Sequence, residues 1–150
     1  MIVAAIFLVG SLLFISTVGI ILLHLVEWSS LGTVRHLHPT DTLARNPLSS
    51  KAVILQTGLG IETVYYFLLL TAFVVFFPGN MTFSTLIAVL GPFHLAAFWA
   101  TMGKSFENQI RKLTTTRVAS ILVLDILEVF FLIALAFQLH PLFVCFFACS

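Results

Sequence analysis

Four long apolar segments, separated by short polar ones, dominate the chain: about 2–27, 52–77, 82–103 and 117–139. Each is near or above the roughly 20 residues that carry a helix across the hydrocarbon core of a bilayer. Lipid offers the backbone no hydrogen bonds, so a spanning segment is either a helix or a strand of a closed barrel. Uninterrupted apolar runs lack the apolar–polar alternation of barrel strands. The pattern predicts an all-α integral membrane protein, a single four-transmembrane-helix bundle over 1–150. Polar stretches 28–51 and 104–116 join helices one to two and three to four. Pro78-Gly79-Asn80 leaves so little chain between helices two and three that they must be antiparallel neighbours. Asn80-Met81-Thr82 is a formal glycosylation sequon, but a turn that tight stays in the headgroups and no glycan is expected there.

Segment 2–27 is not expected to be a signal peptide. No basic residue precedes it, it is longer than such an apolar region, and no small-residue cleavage site follows. At the other end, His140-Pro141 is expected to stop helix four, since a residue preceding proline disfavours the helical conformation. That would leave 140–150 as an apolar tail too short to span. Exposed to water, such a tail would be a hydrophobic patch, so it would lie in the interface or against another subunit. Cys145 and Cys149 within it have neither the number nor the spacing of a zinc site or disulfide framework. They read as small apolar packing residues, with lipid attachment as the alternative.

Charge adds an orientation. The seven Lys and Arg residues fall in two places: Arg35, Arg45 and Lys51 after segment one, and Lys104, Arg111, Lys112 and Arg117 around the third connection. Loops that stay on the side of insertion retain Lys and Arg. Both basic loops are therefore expected on the cytoplasmic, matrix or stromal side, with an up-down topology and both termini on the outer side. Only 9% of the residues are charged and 60% are hydrophobic, against about a quarter charged in soluble domains. No clustered cationic surface suits nucleic acid. Sixteen Phe against two Tyr and two Trp give aromatic bulk able to face acyl chains.

The basic loops imply surface contacts rather than chemistry. Phe106, Ile110 and Leu113 recur at helical spacing among Lys104, Glu107, Arg111 and Lys112, which predicts an amphipathic turn at the inner interface. Arg35, Arg45, Lys104, Arg111, Lys112 and Arg117 are the candidate contacts to lipid headgroups or a partner, and anionic lipid is a sufficient partner. His36 and His38 form an H-x-H with Asp41 nearby that could hold a metal, but no clear third ligand stands at a diagnostic spacing.

Ionisable residues deep in apolar spans are costly and commonly functional. Glu62, His94 and Glu128 lie ten or eleven residues from Lys51, Lys104 and Arg117 respectively, which places them roughly 15–16 Å in at about 1.5 Å per residue. Asp125 lies one turn shallower than Glu128 on the same face. His24 and Glu27, beside Trp28, are expected at the inner interface. No second intramembrane histidine then matches the depth of His94, which argues against haem. Three carboxylates facing one histidinium would leave net negative charge in a low dielectric. Some carboxyls must therefore hold protons, or a cation, metal or basic partner group must complete the site.

Three roles fit Glu62, His94, Asp125 and Glu128. They can hold helices together through hydrogen bonds, or carry out acid–base chemistry or proton relay, or bind a divalent metal such as iron, manganese or zinc. The sequence shows no sizeable soluble domain, nucleotide-binding loop, nucleophile motif or repeated pore segment. Taken with the apolar tail, this favours a small accessory subunit of a larger membrane complex, in contact with other membrane subunits and lipid. The alternative is a stand-alone intramembrane enzyme or a transporter of protons or metal that uses the cluster.

Overall fold

The computed structural model describes residues 2–36, 45–102 and 115–148. These residues form four helices: α1 (Ile2–His36), α2 (Arg45–Phe76), α3 (Met81–Thr101) and α4 (Thr115–Ala148). All four contain stretches long and apolar enough to cross a membrane, as in a multi-pass membrane protein. Contacts that run in opposite chain directions make each neighbouring pair antiparallel. Thr17 meets Tyr65 and His24 meets Glu62; Phe73 meets Phe83 and Glu62 meets His94. Phe14 meets His140 and Trp28 meets Asp125. α1 packs along both α2 and α4, and α2 along α3. α3 and α4 approach mainly through side chains, such as Phe83 on Phe131.

The buried positions repeat every three or four residues: Gly10, Leu13, Thr17, Ile20 and His24 on α1, and Glu128, Leu132, Leu135 and Leu139 on α4. An average spacing near 3.5 keeps one seam of each helix facing its neighbours, as in left-handed bundles. Polarity is inverted relative to a water-soluble protein. Glu62, His94 and Glu128 are buried, while Phe137 and Phe130 are 77% and 66% exposed. Such a surface suits acyl chains.

Three expected helix limits are corrected. Residues 28–36 and 45–51, expected as loop, are helical. Hydropathy marks where a helix meets lipid, whereas polar residues beyond that point continue the helix with water as solvent. α4 does not stop at 139 either, but continues through Pro141 to Ala148. Within a bundle, proline removes one backbone bond without ending the helix when neighbouring packing holds it. Here Leu142 lies so close to Gly10 that a Cβ there would come within 2.6 Å of Leu142 Cδ1. Phe143 packs on Phe14 with ring centroids 4.9 Å apart. The stretch expected as a free apolar tail thus continues the α1–α4 seam at the end away from the basic loops.

Between α2 and α3, the Phe77 N–H donates to Phe73 O at 3.0 Å and the Asn80 N–H to Phe77 O at 3.1 Å. Asn80 Nδ2 donates to Gln138 Oε1 at 2.8 Å, tying the turn to α4. α3 is continuous through Pro92.

Candidate functional site: a buried ring of two histidines and two glutamates

Each helix contributes one ionisable side chain to a single buried ring: His24, Glu62, His94 and Glu128, at 2%, 1%, 3% and 6% exposure. Imidazole and carboxyl alternate around it. His24 Nδ1 lies 3.1 Å from Glu62 Oε1, and Glu62 Oε2 lies 3.6 Å from His94 Nε2. His94 Nε2 lies 3.2 Å from Glu128 Oε2, and Glu128 Oε1 lies 3.6 Å from His24 Nε2, which closes the circuit.

Both imidazoles are fixed by their own helices. His24 Nδ1 sits 3.0 Å from Ile20 O, and His94 Nδ1 sits 2.8 Å from Leu90 O. A carbonyl oxygen only accepts, so in each contact Nδ1 is the donor. That fixes the orientation of both rings and leaves both Nε2 atoms turned to carboxyl oxygens. His94 Nε2 is within hydrogen-bond distance of Glu128 Oε2, and the two 3.6 Å contacts are ion-pair distances that a small shift would close.

Tyrosines close the side toward the α2–α3 turn. Tyr66 donates its hydroxyl proton to Glu128 Oε1 at 2.5 Å and stacks on His94 with centroids 4.8 Å apart. Tyr65 OH and Thr17 Oγ1 are hydrogen-bonded at 2.7 Å. Toward the basic loops lies a second polar tier. Trp28 Nε1 donates to Asp125 Oδ2 at 3.2 Å, and the Glu27 carboxylate occupies the space that a Cβ at Gly58 would fill. Among the described residues, three buried side-chain oxygens have no hydrogen-bond partner: Glu62 Oε1, Glu27 Oε1 and Ser30 Oγ.

Glu62, His94 and Glu128 come together as their depths predict. Asp125 does not join them, because it sits one turn nearer the basic loops on Trp28. The expectation that His24 lies at the inner interface is corrected. α1 continues eight residues beyond Trp28, so Trp28 does not mark the helix end and His24 lies level with His94. With it falls the statement that no second histidine matches the depth of His94. The signal for His24 was its place in the series Leu13, Thr17, Ile20, His24, one stripe of a single helix. The expected metal set of Glu62, His94, Asp125 and Glu128 is split by the position of Asp125. Among the described residues, no three His, Cys, Asp or Glu side chains are arranged to hold a metal ion.

The backbones of Arg35, Arg45 and Arg117 are helical. Lys104, Arg111, Lys112 and the rest of the expected amphipathic turn lie outside the described residues, as do His38, Asp41 and Cys149. Cys145 is a half-buried free thiol. Comparisons with family models, curated proteins and solved structures give no match.

Proposed function

We propose that the protein handles protons within the membrane, with the His24–Glu62–His94–Glu128 ring as the site that takes them up and releases them. One observation carries this reading: two imidazoles, oriented by Nδ1 bonds to their own helices, both turn Nε2 to carboxyl oxygens. Histidine is the side chain that ordinarily changes charge between about pH 5 and 8, and proton transfer requires donor and acceptor within hydrogen-bond reach or one water apart. The ring can hold two imidazolium–carboxylate pairs with no net charge, which suits a low-dielectric interior. The alternative reading, an accessory subunit, drew in part on a free apolar tail; Leu142 and Phe143 of that stretch pack on α1, while Val144 and Phe147 stay exposed.

Trp28 provides the test. It lies edge-on to His24 with centroids 6.5 Å apart, so imidazole protonation should alter its emission. The chain has one other tryptophan, Trp99, so a Trp99→Phe variant isolates the signal. Purified in mild detergent, this variant is expected to show a titration of Trp28 emission. An infrared carboxyl difference band should accompany it and be lost or shifted in Glu62→Gln. Emission and infrared spectra that stay flat across the neutral range would defeat the proposal.

A further inference from the structure

The ring divides the bundle into two unlike halves. On the turn side, the interior is filled by Leu13, Leu69, Phe73, Ile87, Leu132, Leu135 and Leu139, none more than 8% exposed. The few buried polar groups there are satisfied locally. Ser11 Oγ donates to Phe7 O at 2.7 Å, Thr17 Oγ1 to Leu13 O at 2.7 Å, and the Tyr65 hydroxyl is engaged by Thr17. Nothing in this half calls for water, and packed aliphatic layers leave a proton no chain of donors and acceptors.

Toward the basic loops the interior is polar and under-satisfied. The three unpartnered buried oxygens lie in the ring or on this side of it: Glu62 Oε1, Glu27 Oε1 and Ser30 Oγ. Ser30 and Glu62 are each 1% exposed. Asp125 lies between ring and loops, held by Trp28, and Gln56 Nε2 reaches Thr101 O at 3.2 Å one step further out. Buried polar atoms without a protein partner are ordinarily satisfied by water, with two to four partners per water molecule. The ordered series Glu62, Glu27, Ser30 supplies such partners at successive depths along α1 and α2.

From this asymmetry we infer that the ring exchanges protons with the basic-loop face alone, along a hydrated path past Glu27, Asp125 and Ser30. The leucine and phenylalanine layers insulate it from the opposite face. The inference rests on the proposed proton function and adds its sidedness. The groups facing the site are named from every helix: His24 and Glu27 on α1, Glu62, Tyr65 and Tyr66 on α2, His94 on α3, and Asp125 and Glu128 on α4. Glu27 and Asp125 are positioning residues here, since each lies between the ring and the aqueous end.

Two measurements on the full chain in oriented proteoliposomes test it. In the first, Cys145 and Cys149 are replaced by Ser, and single cysteines are introduced by Ser30→Cys on the path and Leu132→Cys in the apolar layer. A charged, membrane-impermeant methanethiosulfonate reagent is added to one face at a time. Ser30→Cys is expected to react from the basic-loop face at least ten times faster than Leu132→Cys reacts from either face. Comparable rates, or an unreactive Ser30→Cys, overturn the path whether or not the ring titrates. In the second, the Trp99→Phe variant receives stopped-flow pH jumps on each face separately. The Trp28 signal is expected to follow jumps on the basic-loop face at least ten times faster than jumps on the other face. Equal rates, or the reverse order, overturn the sidedness while leaving proton handling intact. A titration absent even in detergent removes the proton function itself, so the two failures are distinguishable.

Discussion

Glu128→Gln removes a carboxyl oxygen from the most heavily used group of the ring. Glu128 Oε1 accepts the Tyr66 hydroxyl at 2.5 Å and lies 3.6 Å from His24 Nε2, and Oε2 lies 3.2 Å from His94 Nε2. The amide retains one acceptor, enough for Tyr66, but turns an N–H toward an imidazole. Where that imidazole presents its own N–H, two donors oppose each other in a buried site. Hydrogen bonds to charged groups contribute about 1.5–3 kcal/mol, and removing one partner of a buried ion pair costs about 3–5 kcal/mol. A loss of about 3–5 kcal/mol is therefore expected for Glu128→Gln. For Glu62→Gln, whose Oε1 accepts no hydrogen bond, about 1–2 kcal/mol is expected. Both carboxyls contact both histidines, so the double variant should depart from additivity by at least about 1 kcal/mol. Reversible unfolding in mixed micelles with rising dodecyl sulfate fraction measures all three. Equal single losses that add within about 0.5 kcal/mol would refute the ring as a coupled unit.

Two further outcomes are expected in the same assay. A Cβ at Gly58 overlaps the Glu27 carboxylate, whereas one at Gly19 meets nothing within 4 Å. Gly58→Ala should thus lose about 1–3 kcal/mol from overpacking, and Gly19→Ala should be neutral or gain up to about 1 kcal/mol of helix propensity. Deleting residues 141–150 removes Leu142 from Gly10 and Phe143 from Phe14, an aromatic pair alone worth about 0.5–1.5 kcal/mol. The thermal midpoint in detergent should fall while the remaining spans still insert, and an unchanged midpoint would show that the C-terminal end of α4 contributes nothing to the bundle.

The fold was legible because lipid simplifies the problem: apolar length alone marks a spanning helix, and four such lengths appear in the chain. Helix ends were less legible. Residues 28–36 are polar enough to read as loop, yet a helix leaving an apolar layer has no reason to stop there. Pro141 carries a strong local signal for termination, whereas the helix continues and packs Leu142 on Gly10 and Phe143 on Phe14, partners more than a hundred residues away in sequence. The site was legible to the extent that depth could be counted from a basic residue. Glu62, His94 and Glu128 each have such a marker, whereas His24 was referred to Trp28, which lies well inside its helix. Asp125 shares a face with Glu128, but one turn of rise was enough to hand it to Trp28. Same-face arguments fix azimuth, and the partner is then set by depth.

Cohesion alone does not account for the composition of the ring. Helices in a bilayer can be joined by Ser, Thr or amide side chains at modest cost, and this chain does so elsewhere, through Thr17 with Tyr65 and Asn80 with Gln138. A group placed only to hold helices together would have its polar atoms satisfied, because each unsatisfied buried atom costs about 1–3 kcal/mol. Glu62 is 1% exposed, and its Oε1 faces His24 Nδ1 at 3.1 Å without a hydrogen bond because that N–H is given to Ile20 O; Glu27 and Ser30 repeat the deficit toward the basic loops. The stable solution for adhesion would be Gln or Ser at 62, with the neighbouring positions apolar. Four groups that can each gain or lose a proton, arranged in alternation and bordered, among the described residues, by under-satisfied oxygens toward the basic loops, are what the proposed proton exchange would need: a ring that can rest without net charge and polar atoms through which water could reach it.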